Sequence, residues 1–207
     1  MLKLNDIFIL ISKTFLAAIL FILAGCQMSN FSDITGSFNK NFSQSGQLAG
    51  GILITAPEGY CTDRRHGRRN FSKVGLVFAS CVRLEKSDDL DHTFAHLLTA
   101  SNAGAKVEVS VLANFVKSPE GLSALAMNNV SDDVLIYNIE TSRRAVYVEF
   151  SDLGRPEYLG QRGWKAFLIV EDSLVILGGY SGVGASVSGD DGEELLREFA
   201  QSTLDNL

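Results

Sequence analysis

The chain has 207 residues, 46% hydrophobic and 20% charged, which excludes a disordered polypeptide. Nineteen glycines and three prolines exclude collagen-like and low-complexity chains. The formal net charge of −6 argues against a nucleic-acid partner, because phosphate backbones are held by an excess of Lys and Arg.

Lys3 and Lys13 flank an apolar start, and Phe15 to Ala24 form an uninterrupted apolar run. That run is shorter than the ~20 residues needed to span a bilayer and fits the apolar region of a signal peptide. Leu23-Ala24-Gly25-Cys26 follows it and resembles the lipobox of bacterial lipoproteins. In that family the chain is cut before the cysteine, whose thiol takes a diacylglyceryl group and whose amine is then acylated. The resemblance implies a signal peptide over 1–25 and lipid attachment at Cys26. It makes the bilayer a partner through acylated Cys26 and places the domain in the bacterial cell envelope, facing the periplasm. Gln27, where an Asp would favour inner-membrane retention, tips the expectation toward the outer membrane.

Residues 26–51 are rich in Ser, Asn, Gln and Gly and read as a lipidated flexible tether, with Phe31, Phe38 and Phe42 as apolar exceptions. A single globular domain is expected over 52–207. Ile52–Ala56 reads as a strand stopped by Pro57-Glu58-Gly59, and Val74–Val82 as a buried strand. Asp88–Ser101 fits a helix or, over Phe94–Ser101, a strand; the strand is preferred because Asn102–Gly104 looks like a turn into a further one. That further strand is Lys106–Leu112, where Val107, Val109 and Val111 alternate with polar residues. Ser118-Pro119 marks a helix start, with Leu122, Leu125 and Ala126 on its apolar side.

Four strands follow: Val134–Ile139, Ala145–Phe150, Gly163–Val170 and Leu174–Tyr180. The last two are joined by Glu171-Asp172-Ser173 as a hairpin turn, and Trp164 is expected in the core. Asp190 and Glu193 have capping-box spacing before a helix with Leu195, Leu196, Phe199, Ala200 and Leu204 on one stripe. The sum is an α+β fold, a mostly antiparallel sheet of about seven strands with two or three helices packed on it. Ala56–Tyr60 and Gly163–Phe199 resemble the Mog1/PsbP-type sandwich, whose members mostly bind partners or assist assembly. Gly59-Tyr60-Cys61 and Phe78-Ala79-Ser80-Cys81, with a basic stretch between them, resemble a group of alphaproteobacterial lipoproteins; this resemblance implies no activity.

Setting Cys26 aside leaves Cys61 and Cys81, an even pair in an oxidising compartment and so an expected disulfide. Two thiols for metal or redox work are the competing reading, with no CxxC motif to support it. Arg64, Arg65, Arg68, Arg69 and Lys73 lie between the two cysteines and could grip phosphate or carboxylate, making an envelope protein or anionic envelope component the expected partner. His92 and His96 are spaced to share a helical face and could bind zinc with a nearby Asp, but on a strand they could not chelate one ion. Gly182-Val183-Gly184 with Gly189 has GxGxxxxG spacing, which is wrong for a dinucleotide loop. No cofactor is implied. The leading expectation is a non-enzymatic binding or assembly module; the alternative is an envelope hydrolase or metal-binding protein using His92/His96.

Overall fold

A computed structural model describes residues 42–63, 75–86, 96–182 and 189–206. Ten strands are described: β1 Phe42–Ser43, β2 Ser45–Gln47, β3 Leu53–Thr55, β4 Tyr60–Asp63, β5 Leu76–Ser80, β6 His96–Ala105, β7 Val134–Thr141, β8 Ala145–Asp152, β9 Leu159–Val170 and β10 Ser173–Gly182. Helices are α1 Cys81–Lys86, α2 Val109–Phe115, α3 Pro119–Leu125 and α4 Gly189–Leu204, with a 3₁₀ turn at Ser131–Asp133. Eight strands form one antiparallel sheet in the order β1-β4-β5-β6-β10-β9-β8-β7, and β2 pairs with β3 in a small second sheet. The fold is α+β, and the described residues belong to one unit running from Asn39 to Leu207.

Alternation builds the two faces of the large sheet. In β8, Val146, Val148 and Phe150 point to one side, while Ala145 and Tyr147 point to the other. The first side meets Leu112 and Val116 of α2 and its extension, and Leu125 of α3. The second side meets Leu196, Phe199 and Ala200 of α4, together with Trp164, Phe78 and Leu98. The Phe78 and Phe199 rings meet edge to face at 5.5 Å. Ser118 caps α3 by accepting a hydrogen bond from the Gly121 amide at 3.1 Å, with Pro119 at the first helical position.

Several expectations need correction. Residues 42–47, assigned by composition to the tether, form β1 and β2, so the fold is under way by Phe42 rather than beginning at Ile52. The strand expected over Lys106–Leu112 is a helix from Val109 onward. Val109, Leu112, Ala113 and Val116 pack on the sheet at helical spacing, and a short valine alternation could not exclude that period. Asn102–Gly104 make no turn; they lie within β6, where the pairing with β10 skips between Asn102 and Ala105 and Gly104 takes φ 103°. The strand over Val74–Val82 is narrower than expected, since Cys81 and Val82 already belong to α1. The β9–β10 hairpin is as expected, with Glu171 at φ 51° supplying the reversal.

Candidate functional site

Cys61 and Cys81 form a disulfide with Cα atoms 4.9 Å apart. The pairing Cys61↔Ala79 between β4 and β5 brings them together, and the Cys81 amide donates to the Gly59 carbonyl at 2.8 Å. Both cysteines are buried. A bond of this kind persists in oxidising compartments, which points outside the cytoplasm. Arg64, Arg65, Arg68, Arg69 and Lys73 fall in the connection from β4 to β5, outside the described residues, as do Cys26 and His92.

His96 opens β6 and lies beside Ser181 of β10. Its Nδ1 is 3.1 Å from the Tyr60 hydroxyl, and its Nε2 is buried with no hydrogen-bond partner among the described residues. Burial lowers the pKa of the imidazole, opposed in part by Asp191; burial raises the Tyr60 phenol, aided by Glu198. One ring nitrogen is therefore already engaged by a phenol from β4. Among the described residues no group of three His, Cys, Asp or Glu is placed to hold a metal.

A denser set of charges lies where β8 ends and β9 begins. Asp152 accepts from the Met127 amide at 2.8 Å and the Gly154 amide at 2.9 Å, tying the segment after α3 to the turn after β8. Arg155 donates through Nη1 to the carbonyls of Gly160 at 2.9 Å and Arg162 at 2.7 Å. Its guanidinium lies between the rings of Phe150 and Tyr180, at 5.0 and 4.9 Å from their centroids. The Arg155 Nε sits 3.6 Å from Asp152, and the two side chains are 1% and 0% exposed. Gly163 makes room for it, because a Cβ there would fall 2.1 Å from the guanidinium. Lys165 donates to the carbonyls of Ala124 and Leu125 at the end of α3, each at 3.1 Å.

Two cations thus share one carboxylate. Burial, with the Arg155 charge added, lowers Lys165 from 10.5 to about 8, opposed by Asp152. Burial also lowers Arg155, opposed by Tyr180 and Asp152, and raises Tyr180. Outside this cluster opens a cleft of about 580 Å³, lined in part by Asp152, Arg155, Glu157, Gln161, Arg162 and Ser181. Perturbed groups beside a cleft are where function is sought. Here Arg155 Nη1 and Lys165 Nζ are spent on backbone carbonyls, so the cluster pins α3 and the β8–β9 connection and shapes the cleft wall, while Arg155 Nε and Nη2 are buried with no hydrogen-bond partner among the described residues.

Sequence reasoning missed Asp152, Arg155 and Lys165. One signal was present. Lys165 shares a face of β9 with Phe167 and Ile169, so a lysine stood in an otherwise buried stripe.

No family model and no curated protein matches this chain. Among solved structures, the chain is similar to the crystal structure of the extracellular domain of PknH from Mycobacterium tuberculosis. Identity is 10% and the TM-score 0.33, with the match covering 71% of this chain and 66% of that domain.

Proposed function

We propose that the chain is a lipid-anchored, extracytoplasmic binding module that meets an anionic component of the bacterial envelope. The Cys61–Cys81 disulfide carries this reading. It staples β4 to the start of α1, so both ends of the segment with Arg64, Arg65, Arg68, Arg69 and Lys73 are held close together on the folded domain. The disulfide supports export, and the lipobox-like Leu23–Cys26 supports the anchor. Clustered arginines suit bidentate contacts to phosphate or carboxylate.

Two measurements test the reading. Cys26→Ala is expected to abolish incorporation of labelled fatty acid and to leave an uncut precursor; a labelled, processed variant would refute the anchor. Replacing Arg64, Arg65, Arg68 and Arg69 together by Ser is expected to abolish salt-sensitive binding to anionic lipid vesicles. Binding by that variant at the unsubstituted level would refute the assigned surface.

A further inference from the structure

β7 is the last strand of the large sheet, and its outer edge has no partner strand among the described residues. It is eight residues long and contains neither Pro nor Lys. Such an edge presents a row of backbone donors and acceptors that proteins usually blunt. Leu135 and Tyr137 on it are 60% and 53% exposed. Its one irregularity is at Tyr137, where pairing with β8 passes from Ile136↔Phe150 to Asn138↔Glu149. Val134 and Ile136 before that bulge, and Ile139 and Thr141 after it, consequently share the face covered by α2 and α3. Leu135, Asn138 and Glu140 share the other.

We propose that β7 pairs antiparallel with β7 of a second copy of this chain, about a two-fold axis between Tyr137 and Asn138. In this register Ile136 lies opposite the partner's Ile139, Val134 opposite the partner's Thr141, and Leu135 opposite the partner's Glu140. Every one of these pairs matches faces, because the bulge lies at the axis in both copies; a slip of one residue would mismatch them. The same pairing brings the 3₁₀ turn just before β7, with exposed Asp132, toward the partner's hairpin turn just after β7, with exposed Arg143. Symmetry makes this contact twice. An acid at one end of an edge strand and a base at the other are complementary to an antiparallel copy of themselves, and this selects a second copy as the occupant. Glu140 is held from within by Arg197 at 2.5 Å, which also bonds Glu193 of α4, so the edge is braced before it pairs.

The test is sedimentation velocity of the full chain in detergent micelles over a range of concentrations. The unsubstituted chain is expected to show a monomer–dimer equilibrium. Asp132→Lys and Arg143→Glu each set like charges against each other at both ends of the pairing, and each is expected to raise the dissociation constant by about tenfold or more. An equimolar mixture of the two variants lets every acid again meet a base and is expected to restore the original constant, which also shows that both variants are folded. A chain that stays monomeric at all concentrations would overturn the proposal. So would single variants that dimerise as the unsubstituted chain does, or a mixture that fails to recover.

Discussion

Lys165 offers the sharpest test of how the charge cluster is built. Its folded pKa is about 8, against 10.5 for an unperturbed lysine. The folded value lies below the unfolded one, so between the two pH values the unfolded chain binds the extra proton. Stability must then rise with pH across that window. Below pH 8 the ammonium is carried in both states, and burying it, with Arg155 nearby, costs the fold about 3 kcal/mol. From about pH 8 to about pH 10.5 this cost is lost, with a slope approaching ~1.4 kcal/mol per pH unit. The control is Lys165→Met, which keeps length and apolar bulk but removes the titration. It also removes the bonds to the Ala124 and Leu125 carbonyls, a loss that offsets the whole curve without tilting it. Urea unfolding of both proteins at pH 7, 8, 9 and 10 supplies the comparison. The stability difference between unsubstituted chain and variant should swing in favour of the unsubstituted chain by about 2 kcal/mol or more over that range. Parallel profiles would refute the burial of a charged Lys165.

Two further outcomes follow from the packing. Gly192 of α4 lies against the indole of Trp164, where an added Cβ would come within 2.3 Å of the ring. Gly192→Ala is therefore expected to lower thermal stability by about 1–3 kcal/mol, although alanine alone would favour the helix by about 1 kcal/mol; a stabilised variant would show that the indole can move. Replacing Cys61 and Cys81 together by Ala is expected to cost about 3 kcal/mol in urea unfolding, because the bond closes a twenty-residue separation. Alkylation of the unreduced protein should leave both cysteines unmodified, and labelling of either would refute the pairing.

The second half of the fold was legible because its strands face helices on both sides and alternate cleanly. Val146, Val148 and Phe150 repeat at period two over enough residues to exclude a helix. The first half was less so. Val107, Val109 and Val111 alternate too, but the chain leaves the sheet at Lys106, whose amide bonds the Asp172 carbonyl at 2.9 Å. After that the helical spacing of Val109, Leu112 and Val116 decides the conformation. Asn102–Gly104 have turn chemistry and make a bulge instead, since the long partner β10 holds β6 in line on both sides of the irregularity. The disulfide was readable from cysteine parity. The charge cluster was not, because Asp152 ends β8 and Arg155 follows it, where charges ordinarily meet solvent; here both side chains are buried, Arg155 against the rings of Phe150 and Tyr180.

The two faces of the sheet explain why charges are buried on one and not described in the core of the other. α4 is sixteen residues long and covers its face with an apolar stripe of Leu196, Phe199 and Ala200. α2 and α3 are seven residues each, so a large share of their backbone groups are terminal and need partners. Lys165 takes the last carbonyls of α3, and Asp152 takes the Met127 amide just beyond it. A perturbed lysine here is a consequence of ending a short helix over a sheet, which is why the cluster argues for architecture before catalysis. The surfaces left for partners are then the sheet margins. β7 lies at one end of the strand order, and β4 and β5 lie toward the other. A two-fold pairing through β7 would use the opposite end of the strand order from β4 and β5. One dimer would carry two copies of the segment proposed to bind anionic groups, and binding through both at once would gain from avidity with no new contact at either site.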